Sequence, residues 1–278
     1  MNVDLFETHA FTIKTKAGKP FWLVPFGDVH YGAPLHAESE WRDFCKRWKD
    51  EPNAYFLGMG DYQDLVSSSE RDILNRGLHQ STIETMEDMY DEKIKEFQNQ
   101  IEFMRGRIIG LIEGNHHAPF LDGSTSTQRM ARHFKCRYLG VACFVKLRLM
   151  CDSSSMPIDI WAHHGKGAAR LLGGSINAVQ HMAEAADADI YLMGHDHKRL
   201  AAPSVSMRLN KNMVIKQKRK YFVRTGSFLK AYDAGKASYV AGRALNPVDL
   251  GAVPIMITPR RRIINGRQER TFDMEARI

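Results

Sequence analysis

The sequence predicts an α/β protein whose strands are mainly parallel. Short and almost continuous apolar runs recur along the chain, and each ends in a cluster of Gly, Asp, Asn or His. Such runs are typical of strands that are buried on both faces of a sheet. The segments between them carry apolar residues at helical spacing, so strands and helices alternate and right-handed crossovers are expected. The apolar runs cover residues 21–30, 54–61, 107–117, 158–165 and 188–197.

The first run, FWLVPFGDVH, predicts a strand that delivers Asp28 and His30. Pro25 cannot donate a hydrogen bond to a neighbouring strand, so it indicates a bulge or an edge position. The following segment, 37–50, predicts a helix because its large apolar residues share one face. Those residues are Trp41, Phe44, Cys45 and Trp48.

Two further helices are predicted from caps and apolar stripes. Segment 81–104 begins with Ser81 and Glu84 at the spacing of a capping box. Its Met and aromatic residues follow a helical stripe, which indicates core packing and not a cofactor site. Segment 175–186 predicts another helix with Ser175 as its N-cap.

The chain has 278 residues, no clear linker and no internal repeat, so we expect one domain over 1–278. Its motifs fall in a core of residues 21–230. After about residue 200 the sequence becomes rich in β-branched and basic residues with turn signals. We therefore expect the segment 231–278 to add C-terminal strands and a basic tail that complete a second sheet.

Composition indicates a soluble globular protein, with 44% hydrophobic and 26% charged residues. The chain begins without a signal-peptide pattern and has no apolar stretch of the roughly 20 residues that span a bilayer, so no membrane is expected. The four cysteines form no C-x-x-C pair, which favours reduced thiols and a cytoplasmic protein. The net charge of +7 favours anionic partners. Its late basic runs, 208–224 and 259–270, are interpreted as solvated strand faces in preference to a nucleic-acid track.

The polar clusters at the strand ends form a candidate metal site. His195 and His197 would project to one side of an extended backbone, as two ligands of a metal do. Open α/β sheets place ligands beyond the carboxyl ends of their strands, where all these clusters fall. Seven oxygen and nitrogen donors are too many for one tetrahedral site and suit two adjacent metals. The donors are Asp28, His30, Asp61, Asn115, one of His163 and His164, His195 and His197.

Five short motifs follow one another in a family-like order. They are D-x-H (Asp28, His30), G-D-x-x-D (60–64), G-N-H (114–116), H-G (164–165) and G-H-x-H (194–197). This order over residues 27–197 resembles the calcineurin-like metallophosphoesterase superfamily. Each motif alone is weak, but five in order are a specific signal.

The resemblance implies an α/β fold of four layers, an α/β/β/α sandwich with two mixed β-sheets and the metals at the carboxyl ends of the strands. It implies two divalent ions, with Mn²⁺ expected first and Fe or Zn²⁺ compatible with the same donors. One ion would be held by Asp28, His30, Asp61 and His197. The other would be held by Asp61, Asn115, His164 and His195, so that Asp61 bridges the pair.

The resemblance also assigns catalytic roles. His116 would donate a proton to the leaving-group oxygen, and Asp64 would orient it. A hydroxide held by the two metals would attack phosphorus in line with that leaving group. Lys166 and Arg170 follow the H-G motif and are candidates for phosphate recognition or, equally, solvated cations of a glycine-rich loop. His117 is a further candidate substrate contact.

The predicted function is a metal-dependent phosphodiesterase acting on a phosphate-ester substrate, with nucleic acids or nucleotides as one candidate class. Protein Ser/Thr phosphatases of the superfamily carry an Arg and a Glu at the positions of Leu65 and His117, so that branch is disfavoured. Phosphomonoester hydrolysis is the alternative, because the same metal site performs both reactions. A non-catalytic binding module of the same fold is a weaker alternative, because His116 and the ligand set are present.

Overall fold

The architecture consists of β-strands in two sheets with helices on the outer faces. The computed structural model describes residues 5–66, 79–151, 154–167, 169–209, 213–236, 242, 246–264 and 267–278. The helices are α1 (Glu38–Lys49), α2 (Gln80–Gln100), α3 (Ser126–Phe134) and α4 (Leu172–Ala185). Among the described helices, none is long and apolar enough to cross a membrane.

Strands and helices alternate as predicted around the four helices, but within residues 7–26 and within residues 137–163 strands follow one another without a described helix between them. Those that precede α4 are β1 (Glu7–Thr15), β2 (Phe21–Phe26), β3 (Ala54–Gly58), β4 (Ile108–Leu111), β5 (Arg137–Tyr138), β6 (Ala142–Cys151) and β7 (Ser154–His163). Those that follow α4 are β8 (Ile190–Met193), β9 (Arg199–Leu209), β10 (Ile215–Ser227), β11 (Gly251–Ala252), β12 (Ile255–Ile264) and β13 (Arg267–Ala276).

Both sheets mix parallel and antiparallel pairs. One runs in the order β13-β12-β2-β3-β4-β5, where β2 to β5 are parallel and β12 is antiparallel to its neighbours. The other runs β1-β6-β7-β8-β10-β11, with β9 also paired to β10. The strands after residue 250 divide between the sheets, because β11 pairs with β10 while β12 and β13 extend the sheet of β2. This division differs from the prediction that the C-terminal strands all complete a second sheet.

The side chains of β2 explain the layer order. Alternate residues of a strand point to opposite faces, and Trp22, Val24 and Phe26 pack on the helical side with α1 and α2. Leu23, between them, packs toward the other sheet. On the far side of that second sheet, α4 packs through a cluster that includes Val179, Met182, Trp161, Tyr191 and Phe222. The layers are therefore α/β/β/α, which confirms the predicted fold class.

Pro25 occupies a local edge within an interior strand. The ladder between β2 and β12 covers only Phe21 to Leu23, so Pro25 pairs with Leu57 of β3 alone. Its missing N–H therefore costs no ladder bond on the β12 side.

Two of the predicted helix starts are wrong. Helix α2 begins at Gln80 with His79 as its N-cap, whose ring accepts from the Ser81 amide, so Ser81 lies inside the helix. Helix α4 begins at Leu172, which places Ser175 in its first turn and not at the cap. The Ser175 hydroxyl is engaged in a tertiary hydrogen bond instead, and such contacts override local capping signals.

Candidate metal centre

The predicted ligands share an uncommon backbone conformation. Among the described non-glycine residues, positive φ occurs at seven positions, and five of them are predicted ligands. Outside glycine this conformation costs about 1–3 kcal/mol per residue and persists where the surroundings fix it, often at functional sites. The five are Asp28 (47°), His30 (49°), Asp61 (49°), His195 (70°) and His197 (61°).

Hydrogen bonds between the loops fix this conformation. The Asp28 amide donates to the Gly60 carbonyl at 2.9 Å, and the His30 amide donates to the Asp61 carbonyl at 3.1 Å. The His195 amide donates to Asp28 Oδ2 at 2.9 Å. These bonds join the loops after β2, β3 and β8, so the carboxyl ends of strands from both sheets meet at one place.

Asp28, His30 and His197 form the first cluster of potential ligands. One ligand atom from each lies within 4.8 Å of the others. Asp28 Oδ1 and His30 Nε2 are buried and make no hydrogen bond within the described part of the chain. Buried polar atoms are nearly always partnered, so two unpartnered acceptors beside His197 fit a cation.

Asp61, His164 and His195 form the second cluster, within the same 4.8 Å limit. Asn115 Oδ1 joins them, 3.0 Å from His164 Nε2 and 2.9 Å from His195 Nδ1. Nδ1 of His164 donates to the Met59 carbonyl at 2.7 Å, which directs Nε2 toward Asp61. A second hydrogen bond of this kind is usual for a histidine that ligates a metal.

Asp61 lies between the two clusters. Its Oδ2 is 3.2 Å from His164 Nε2 and 3.9 Å from His30 Nε2, while Oδ1 accepts from the His116 amide at 2.9 Å. One carboxylate oxygen therefore faces histidines of both clusters. This is the position that a ligand shared by two ions would occupy.

The pKa values of the ligand side chains are shifted because carboxylates and imidazoles lie close together in a buried site. Burial and the nearby Asp61 raise the pKa of Asp28 to about 6. Burial would lower the pKa of His164, but the carboxylate of Asp61 outweighs it and raises that pKa to about 9. Burial and the neighbouring His30 hold the pKa of His197 well below its usual value. Without cations, the centre thus retains a proton on His164 to balance its carboxylates.

His116 and Asp64 form a pair beside the clusters. His116 Nδ1 donates to Asp64 Oδ1 at 2.6 Å, and the His116 ring lies 4.7 Å from the His30 ring. Burial opposes protonation, but the carboxylates of Asp64 and Asp61 raise the pKa of His116. With Nδ1 held by Asp64, Nε2 is the atom that can transfer a proton.

Several other candidates lie away from the clusters. The His163 ring accepts from the Gly165 amide at 2.7 Å, so the neighbouring His164 is the one that faces Asp61. His117 Nδ1 donates to the Gly114 carbonyl at 2.8 Å, and its Nε2 lies 3.6 Å from Glu113. These contacts hold the His117 ring against its own loop.

Lys166 and Arg170 are exposed in the segment between β7 and α4. They follow the His164 position closely along the chain.

The segment R-T-G-S-F, 224–228, supports the ligand loops from behind. Ser227 Oγ donates to the Asp28 carbonyl at 2.9 Å, and the Phe228 amide donates to the same carbonyl at 2.9 Å. Arg224 is fully buried and lies 3.4 Å from Asp196 Oδ2. A signal existed for Arg224, because it is a lone charge in the apolar run YFVRTG.

No protein-family model and no curated protein matches this sequence. Among solved structures, the chain is similar to Vacuolar Protein Sorting 29 from Cryptosporidium parvum, with 15% identity and a TM-score of 0.40. The alignment covers 93% of this chain and 99% of that one.

Proposed function

We propose that this protein is a metal-dependent phosphoesterase and that it hydrolyses phosphodiesters in preference to phosphomonoesters. The observation that carries the proposal is the position of Asp61 between two clusters of buried carboxylate and imidazole donors. Oxygen and nitrogen donors without thiolate suit Mn²⁺, Fe and Zn²⁺.

The residues present fit a pair of divalent ions. Asp28, His30 and His197 would hold one ion, and Asp61 would contribute to both. The second ion would take its remaining ligands from Asn115, His164 and His195. When bound, two adjacent ions supply positive charge to the phosphate oxygens and lower the pKa of water near phosphorus.

His116 is suited to protonate the leaving group. Its Nδ1 is held by Asp64 at 2.6 Å, and the raised pKa of His116 favours the imidazolium form. A proton on Nε2 can then pass to the oxygen that departs from phosphorus. Asp64 would fix the ring orientation and stabilise its charged form.

The engagement of the nearby Lys and Arg side chains favours a phosphodiester substrate over a phosphomonoester. A diester carries one negative charge near neutral pH, whereas a monoester carries close to two and needs more compensation. Lys198 and Arg224 lie close to the ligand histidines but are engaged with Asp196, at 3.7 and 3.4 Å. Lys166 and Arg170 are exposed.

The basic run 208–224 gives little support to a nucleic-acid substrate. Residues 208–209 and 215–224 of this run lie in the antiparallel β9–β10 ribbon, and two of its cations, Lys218 and Lys220, lie 3.2 and 3.0 Å from Asp187. β10 ends at the metal centre, so the start of this strand lies at the opposite edge of the sheet. We therefore propose a diester substrate without restricting it to nucleic acids.

Hydrolysis of two model substrates tests the proposal. Metal-stripped protein is supplied with Mn²⁺ and given bis(p-nitrophenyl) phosphate or p-nitrophenyl phosphate. Asp61→Asn is the test variant, and Asp187→Asn is the matched control, because Asp187 is an exposed carboxylate far from the centre.

We expect Mn²⁺-dependent diester turnover that Asp61→Asn abolishes and Asp187→Asn preserves. Monoester turnover alone would overturn the diester assignment and retain the metal site. If Mn²⁺, Fe²⁺ and Zn²⁺ all fail to support hydrolysis of either substrate, the enzymatic proposal is wrong and a binding module is favoured.

A further inference from the structure

Asp196 separates two predicted ligands, His195 and His197, but its own side chain is committed elsewhere. Its Oδ2 accepts a hydrogen bond from Ser175 Oγ, and its Oδ1 accepts from the Lys198 amide at 3.3 Å. The side chain is 1% exposed. Asp196 is therefore placed to hold the loop, since its two oxygens already have partners.

Arg224 completes a buried charge network around Asp196. Its Nε donates to the Ser175 carbonyl at 3.0 Å and lies 3.4 Å from Asp196 Oδ2, while Nη1 donates to the Gly194 carbonyl at 2.9 Å. The guanidinium thus connects β10 and α4 to the residue that precedes the ligand histidines. Its hydrogen bonds and its ion pair are all made below the protein surface.

Lys198 extends the network to the segment that contains Lys166 and Arg170. Its Nζ donates to the Ala169 carbonyl at 2.6 Å and lies 3.7 Å from Asp196 Oδ2. The carboxylate of Asp196 therefore faces groups from α4 and β10, and Lys198 links it to the connection between β7 and α4. The conformation of that connection is tied to the loop that presents His195 and His197.

A buried ion pair is poor evidence for added stability, because desolvation of the two charges offsets their attraction. Its best-attested use is to select one arrangement among competitors. Here the arrangement includes positive φ at both His195 and His197, which the isolated loop would not favour. The charge network binds Gly194 and Asp196, and it therefore opposes relaxation of the His195 and His197 backbone.

We propose that Asp196 and Arg224 are positioning residues, which hold His195 and His197 in their metal-binding conformation and couple them to the segment carrying Lys166 and Arg170. This inference rests on the proposed metal centre. It assigns no catalytic contact to either residue.

The test compares Mn²⁺ and Co²⁺ binding in three variants. Asp196→Asn keeps the side-chain shape but removes the charge. Ser175→Ala removes a single hydrogen bond to Asp196 and is the milder variant. Tyr191→Phe is the matched control, because its buried hydroxyl bonds to Ala186 and Ala188 at the other end of β8.

Isothermal titration measures Mn²⁺ affinity, and the visible spectrum of bound Co²⁺ reports the geometry of its ligands. We expect Asp196→Asn to weaken Mn²⁺ binding about 10–100-fold, the range typical of residues that support metal ligands. Its Co²⁺ spectrum should change, and trypsin should cleave faster after Lys166 and Arg170. Tyr191→Phe should lose thermal stability but keep the wild-type affinity and spectrum.

A folded Asp196→Asn variant with wild-type affinity and spectrum would overturn the inference and leave the proposed function standing. If that variant does not fold, unchanged affinity in Ser175→Ala would overturn the inference. A wild-type chain without affinity for Mn²⁺ or Co²⁺ would overturn both this inference and the proposed function.

Discussion

Gly114 offers a sharp steric test of the candidate centre. Its backbone has no positive φ, so alanine is acceptable to the chain itself, but an added Cβ would overlap the Asp61 carboxylate. That Cβ would lie 2.8 Å from Asp61 Cγ. Carbon atoms in contact prefer at least about 3.5 Å, and the Cβ would come closer still to Asp61 Oδ1 and to the Asp61 backbone nitrogen. Asp61 or Gly114 must therefore shift by more than about 0.7 Å.

A shift of this size is large for a metal ligand. Coordination distances tolerate deviations of about 0.2 Å, so Gly114→Ala should weaken binding to both proposed ions, which share Asp61. We expect Mn²⁺ affinity to fall at least about tenfold. Overpacking costs about 1–3 kcal/mol, and the Tm should fall by several degrees while the protein remains folded.

The control is another glycine-to-alanine change in the same chain. Gly173 lies in α4, and a Cβ there would meet nothing within 4 Å. Gly173→Ala should leave Mn²⁺ affinity unchanged and should stabilise the helix by up to about 1 kcal/mol. Titration calorimetry and thermal unfolding of both variants check the prediction. Wild-type Mn²⁺ affinity in Gly114→Ala would refute the placement of Asp61 in the centre.

Three further predictions concern the pKa values of His164, His116 and Cys143. Since the pKa of His164 is about 9 in the metal-free centre, Mn²⁺ binding at pH 7.5 should release about one proton, and the Mn²⁺ affinity should rise about tenfold per pH unit up to pH 9. Calorimetry in buffers of different ionisation enthalpy measures this proton release. Equal binding enthalpies in all buffers would contradict the prediction. Asp64→Asn should lower the pKa of His116, because the carboxylate favours the imidazolium. The protonated form of His116 would then be lost at lower pH, so the alkaline limb of the pH–rate profile should shift to lower pH for a diester with a poor leaving group. An alkaline limb at the wild-type pH would argue against the His116–Asp64 pair. Burial raises the pKa of the Cys143 thiol to about 12, so a thiol reagent at pH 8 should label Cys143 only after denaturant is added, as mass spectrometry of the labelled peptide would show.

The strand-end residues were predictable because they depend on local patterns. An apolar run shows where a strand ends, and parallel strands bring their carboxyl ends together. The choice of His164 over His163 came from the H-G motif, and the bond from His164 to the Met59 carbonyl agrees with it. The motif could not show that bond, because Met59 is far along the chain.

Residues that act through distant partners could not be predicted. Ser175 satisfied the local rule for an N-cap, yet its hydroxyl is used by Asp196, 21 residues away. Arg224 was visible as a charge in an apolar strand, but its buried partners come from two other segments, α4 and the loop after β8. The pairing of β12 with β2 was equally inaccessible, since hydrophobic periodicity does not specify which strands become neighbours.

The metal content of the wild-type chain tests the central claim most directly. Metal-stripped protein is dialysed against Mn²⁺ near neutral pH, and bound metal is counted by elemental mass spectrometry beside Asp61→Asn. Two Mn²⁺ ions per wild-type chain, with both lost or weakened in Asp61→Asn, is the predicted result. One ion or none in the wild-type chain, or two ions retained at wild-type affinity in Asp61→Asn, would contradict a centre in which Asp61 is shared.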